Sequence, residues 1–153
     1  MPRVLIPGGA GFLGSHVAAA LVEHPGVDLV VAGDVRRPEH PIEGVVYDEC
    51  DVTQSGPLLP LLERHDIDVV VHLAAIVNPG RDHDMEYRVD VDGSRNVLDA
   101  CLAAGVRRVV VSSSGAAYVN LVGHSQGGLD LRKAAKLLYT NKGRNVVKYG
   151  ISD

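Results

Sequence analysis

The stretch Gly8-Gly9-Ala10-Gly11-Phe12-Leu13-Gly14 is where residue types and spacing point most directly to chemistry. It follows the apolar run "RVLIP" (3–7) and precedes the helical pattern "SHVAAALVEH". Gly8 suits a tight turn after a strand, Gly11 lets backbone approach a diphosphate, and Gly14 allows close packing as a helix begins. Amide hydrogens exposed at a helix start attract the diphosphate charge. Asp34 closes the next apolar run, "DLVVAGD" (28–34), where a carboxylate can accept from both hydroxyls of a ribose. Its charge would repel a 2′-phosphate, which favours NAD. Arg36 and Arg37 follow at once and can pair with that phosphate, so NADP stays open. Asp51, after a third strand candidate, can accept from an adenine amino group or simply turn the chain in solvent. His72 falls within the alternation of an apolar strand and reads as a packed histidine rather than a base.

The elements that must position these residues alternate. "RVLIP", "DLVVAGD", "GVVYDECD" (44–51), "DVVVHLAA" (68–75) and "RRVVVSSS" (107–114) are strand candidates. Between them lie the helix after Gly14, a short helix "SGPLLPLLERH" interrupted by proline, and a long helix over 86–104. In the long helix Val89, Gly93, Val97 and Cys101 share one stripe, with Leu98 and Ala104 beside it. Strand and helix in turn predict a single α/β domain over 1–153. Its three α/β/α layers are Rossmann-like and doubly wound around a mostly parallel sheet. After Tyr118 the rhythm loosens: "YVNLVG" is a strand candidate, "GLDLRKAAKLLYTNK" a helix and "NVVKYG" a possible last strand. Only four residues follow Tyr149 here, so no separate substrate domain is expected within 1–153.

Composition narrows the function classes. An apolar fraction of 46% argues against disorder, and a net charge of −4 gives no support for nucleic-acid binding. No apolar run is long enough to cross a membrane. The start "MPR" runs straight into a strand without a cleavage region, so no signal peptide is expected. Cys50 and Cys101 form no metal-ligand cluster, and the seven histidines include no close ligand spacing. The expectation is a cytoplasmic protein with reduced thiols and no metal, and with sheet edges that would favour self-association.

Taken together, "GGAGFLG", Asp34, "DVT" (51–53), "HLAA" (72–75), "VDGSRNVLDAC" (91–101) and "VSSSGAAY" (111–118) resemble the extended short-chain dehydrogenase/reductase family of NAD-dependent sugar-nucleotide epimerases and dehydratases. The resemblance covers about residues 1–118. It implies that Gly8, Gly11 and Gly14 surround the diphosphate, with Phe12 and Leu13 opening the helix. It implies that Asp34 binds the adenosine ribose, that Asp51 and Val52 bracket adenine, and that Leu73, Ala74 and Ala75 line the path toward nicotinamide. Asn96 would brace neighbouring strand ends, and Ser114 would hydrogen-bond the reacting substrate oxygen of a sugar nucleotide.

Related enzymes pair a tyrosine with a lysine four residues on, and the lysine lowers the phenol pKa for proton transfer during hydride transfer. Here Tyr139 stands at a suitable distance after Ser114, but the fourth residue beyond it is Gly143 and the lysine is Lys142. On a helix an i+4 partner lies about 40° from the tyrosine, whereas an i+3 partner lies about 60° to the other side. "TNKGRN" also reads as a helix ending at Gly143. A set of Ser114, Tyr139 and Lys142 is therefore expected to be incomplete as catalytic machinery.

A second serine competes. "VNLVGHSQGG" (119–128) is similar to the nucleophile elbow of lipase-type α/β-hydrolases, with Ser125 in the sharp turn and the amide of Gln126 as an oxyanion donor. The acid and histidine that follow the serine in that class are missing, because no histidine lies beyond His124. All the lysines (Lys133, Lys136, Lys142 and Lys148) lie after Tyr118, opposed only by Asp130 and Asp153, whereas arginine alone is basic before it. The reversal suggests a junction near 118–119, with the tail as a chimeric or engineered completion of the sheet.

Overall fold

The computed structural model describes residues 1–76, 81–112 and 122–124. Six strands, β1 (Arg3–Pro7), β2 (Leu29–Asp34), β3 (Val45–Glu49), β4 (Val69–His72), β5 (Arg108–Val111) and β6 (Val122–His124), form one sheet in the order β3-β2-β1-β4-β5-β6. The first five are parallel, and β6 runs antiparallel to β5. This is the Rossmann-like arrangement, in which the strand order reverses direction beside β1 and opens a crevice between β1 and β4.

Period-two alternation divides the core between two faces. Leu5, Val31, Val70 and Val109 pack on one side with Leu58, Leu61 and Leu62 of α2 (Leu58–Arg64) and with Val97, Leu98 and Cys101 of α4 (Ser94–Ala104). Val4, Ile6 and Val30 pack on the other side with Ala18 of α1 (Phe12–Val22). Covering both faces is what makes β1 apolar from Val4 to Pro7, since neither side of that stretch meets water.

Two expectations are corrected locally. Pro60 does not interrupt α2: it occupies the third helical position, and the first turn-closing bond is Leu61 N to Pro57 O at 3.1 Å. An amide there would have had no intrahelical partner, so proline costs nothing. The helix over 86–104 begins earlier, at His83. It runs as α3 (His83–Tyr87), a wider π-helical turn over Arg88–Gly93, and α4. Asp82 caps its start by accepting from Met85 N at 3.0 Å. The expected stripe is present, with Gly93, Val97, Leu98 and Cys101 buried and Val89 and Ala104 packed partly against them. Gly105, at φ 72, ends the helix, and Val106 N reaches back to Cys101 O at 2.9 Å.

Candidate functional site

β1 delivers the chain into the glycine turn at the carboxyl end of the sheet. Gly8 has φ 84, and a Cβ on it would stand 2.6 Å from Ala74 N, so both conformation and space require glycine. A Cβ on Gly14 would overlap the carbonyl oxygen of Gly8 and stand 2.7 Å from Gly9 Cα. Gly9, to which the motif gives no role, is equally confined: a Cβ would lie 2.7 Å from Ala32 Cα. Gly11 differs. Among the described residues a Cβ there would meet only Gly8 O, at 3.3 Å, so no close packing demands a missing side chain.

The amides of the turn are not all available. Gly8 N and Gly9 N bond Gly33 O at 2.8 and 3.1 Å, Gly11 N bonds Gly8 O at 3.2 Å, and Ala10 N bonds Asp34 Oδ2 at 3.1 Å. The first helical bond is Ser15 N to Gly11 O at 2.9 Å. The amides of Phe12, Leu13 and Gly14 therefore precede any intrahelical partner. Gly11 supplies no side-chain cap, and the first turn of α1 carries no acidic residue to offset its positive end. Anion attraction thus belongs to the start of α1 rather than to the glycine loop as a whole. Phe12 and Leu13 flank those amides with apolar surface, 85% and 52% exposed.

Asp34, at the end of β2, faces this helix start. Its carboxylate accepts from Ala10 N through one oxygen and from Arg36 N through the other, at 3.1 and 3.2 Å. Those two bonds fix the carboxylate and leave lone pairs on both oxygens. The same aspartate that can meet a ribose also holds the glycine turn in register with β2. The side chains of Arg36 and Arg37 are exposed beside it.

Beyond β3, Asp51 Oδ1 accepts from Thr53 N and Thr53 Oγ1 at 2.9 and 2.7 Å, a local turn that uses one oxygen of the carboxylate. Val52 is buried, and a Cβ on Gly93 would stand 2.7 Å from its Cγ2, so its side chain belongs to the core and only its backbone remains to meet a ligand. Asn96 Nδ2 donates to Val52 O at 2.9 Å and ties α4 to the segment after β3. Leu73 and Ala74 are half-buried and Ala75 exposed, along the exit from β4 next to Gly8. Burial pushes the Cys50 and Cys101 thiols up to about 12, which removes them as nucleophiles. No cluster of potential metal ligands occurs among the described residues. No helix among them is long and apolar enough to cross a membrane.

Ser114, Ser125, Tyr139 and Lys142 lie outside the described residues. His124 pairs with Arg108 at the start of β5, so β6 runs toward the sheet end opposite the glycine turn.

Residues 4–134 match the model of the NAD dependent epimerase/dehydratase family. The UDP-glucose 4-epimerase of Azospirillum brasilense is 37% identical over 127 residues, covering 76% of this chain and 35% of that protein. The UDP-glucose 4-epimerase of Mus musculus is 30% identical over 137 residues, covering 78% of this chain and 40% of that protein. Among solved structures, the Thermus thermophilus UDP-glucose 4-epimerase complex with NAD superimposes with a TM-score of 0.66 at 28% identity, over 74% of this chain and 38% of that one. The chain belongs to the NAD dependent epimerase/dehydratase family, and its sheet has the Rossmann-like order. It spans about 35–40% of the length of these curated relatives. The family match runs through Tyr118 to residue 134, so the charge reversal coincides with no boundary in it. Nothing in these comparisons supports a hydrolase elbow or a chimeric tail.

Proposed function

We propose that this chain binds NAD across the carboxyl ends of β1, β2 and β4, as the cofactor-binding part of an oxidoreductase that acts on a sugar nucleotide. One observation carries the reading: the amides of Phe12 and Leu13 precede the first helical bond beside a Gly11 whose added Cβ would meet only Gly8 O among the described residues, with the Asp34 carboxylate holding Ala10 N next to them. The diphosphate takes the helix start, and Asp34 takes the adenosine ribose. Asp51 and the Val52 backbone border adenine, and Leu73, Ala74 and Ala75 lead toward nicotinamide. The sugar-nucleotide substrate rests on the names of the epimerase relatives.

When bound, NAD would supply a hydride acceptor for a secondary alcohol. The residues assigned to orient that alcohol and move its proton are Ser114 and Tyr139, with Lys142 three rather than four positions beyond the tyrosine. That spacing supports cofactor binding without turnover by this chain.

Calorimetric titration tests both parts. NAD is expected to bind at least about threefold tighter than NADP. Asp34→Ala should weaken NAD about tenfold, roughly 1.4 kcal/mol, and narrow the preference. Equal or tighter NADP binding in the unmodified protein would overturn the ribose assignment and hand the role to Arg36 or Arg37. Turnover of a UDP-sugar that disappears in Tyr139→Phe would overturn binding without catalysis.

A further inference from the structure

His72 closes β4 with a side chain only 3% exposed, and its Nε2 lies 3.1 Å from Ser94 Oγ at the start of α4. The same oxygen lies 2.7 Å from the carbonyl oxygen of Asp90. A hydroxyl carries one hydrogen and a carbonyl can only accept, so Ser94 donates to Asp90 O and accepts from His72. This fixes the imidazole as its Nε2–H tautomer. Burial independently keeps the ring uncharged. Among the described residues Nδ1 is buried with no hydrogen-bond partner, and Ser94 is the one polar group that orients the ring.

Asp90 then reaches back toward the same strand exit, where its Oδ1 accepts from Ile76 N at 2.9 Å. The segment between, residues 73–76, is tied at its other end by Leu73 N to Pro7 O at 2.8 Å. It passes so close to Gly8 that a Cβ there would stand 2.6 Å from Ala74 N. His72, Ser94 and Asp90 thus close a loop of bonds around the exit from β4. The wider helical turn over Arg88–Gly93 holds Asp90, while Ser94 opens α4 directly after it.

We propose that His72 and Ser94 are positioning residues that set the wall formed by residues 73–76 for the half of the dinucleotide beyond the diphosphate. This rests on the dinucleotide reading above. β2 and β4 flank β1 on opposite sides. A ligand with its ribose at Asp34 and its diphosphate at α1 must therefore lay its second half over the exit from β4. The His72–Ser94 pair acts on that half and not on the adenosine end.

Comparison of NAD with ADP, which lacks the second half, tests this by calorimetry. Ser94→Ala is expected to weaken NAD about tenfold and leave ADP within about twofold, and Ser94→Thr should restore NAD affinity. Asp90→Ala should show the same split. The double variant should lose little more than either single one, because both act on one network. Equal losses for NAD and ADP, or no loss of either, would overturn the proposal. Should Ser94→Ala not fold, His72→Leu removes donor and ring together without stranding an N–H, and it must show the same split. An unmodified protein that binds neither ligand removes the dinucleotide reading and this inference with it. One that binds both, with variants that show no split, removes this inference alone.

Discussion

Gly11→Val is expected to fold and yet lose dinucleotide affinity about 100-fold, whereas Gly14→Ala is expected to lose the fold itself. The two glycines sit three residues apart in one motif, and their surroundings separate them. Gly11 has an extended backbone at φ −74 that any residue can adopt, and among the described residues a Cβ there meets only Gly8 O at 3.3 Å. A valine would project over the open amides of Phe12 and Leu13, where the diphosphate would approach. The cost to stability should stay within about 1 kcal/mol, the range for replacing a helix N-cap. The lost affinity corresponds to about 2.7 kcal/mol. At Gly14 the added methyl would run into the backbone of Gly8 and Gly9, which are themselves held by Gly33 O. Backbone clashes cannot be relieved by a rotamer change, so a loss of about 3 kcal/mol or more is expected. Urea unfolding alongside an NADH fluorescence titration reads both effects. Equal loss of stability in the two variants would contradict the assignment of Gly11 to the ligand.

The second large effect is a loss of stability in mild acid that His72 controls. Burial pushes its imidazole down to about 4. In the unfolded chain the ring binds a proton as the pH falls below about 6.5, while the folded protein holds it neutral until near 4. The unfolded state therefore carries more protons throughout that window. Stability is complete above about 6.5 and falls as the pH drops toward 4, by up to about 1.4 kcal/mol per unit and on the order of 3 kcal/mol in all. Asp48 contributes with the same sign but lower on the scale. The hydrogen bond from His65, opposed by partial desolvation, holds its carboxyl below the ordinary range, so its contribution fades only as the pH falls through that range. Urea midpoints at pH 5 and 7 should differ in the unmodified protein, and the difference should shrink in His72→Leu. An unchanged difference would place the acid sensitivity elsewhere.

These effects show which parts of the chain are legible in its sequence. β1, the glycine turn, α1 and Asp34 are, because each depends on neighbours within a few residues: an apolar alternation, a turn that only glycine fits, a helix stripe and a strand end. Helices separate β1 from β2, β3 from β4 and β4 from β5, which makes those strands parallel by expectation; β2 and β3 are parallel although no helix joins them. What escapes depends on contacts distant in sequence. Gly9 looks spare in its motif, yet it is confined by Ala32 on the neighbouring strand. Val52 reads as an adenine contact, yet its side chain packs inward against Gly93, some forty residues on. The widened turn at Arg88–Gly93 and the His72–Ser94 bond have no local signature either, since serine and aspartate at those positions read as ordinary helix surface. The antiparallel direction of β6 depends on how the chain returns from β5, and strand-like residue types do not encode direction. The availability of amides is a finer point. Glycine spacing predicts an anion site, but the hydrogen bonds leave its exposed donors at Phe12 and Leu13, with the buried Gly14 behind them, rather than in the glycines that precede them.

Titration of NAD into the ¹⁵N-labelled protein, followed amide by amide, tests this placement most directly. Saturable shifts are expected at Phe12, Leu13 and Gly14, with Gly8 and Gly9 little moved because Gly33 O already holds them. Absence of saturable change at those three amides with millimolar NAD, or changes confined to another part of the sheet, would contradict the account.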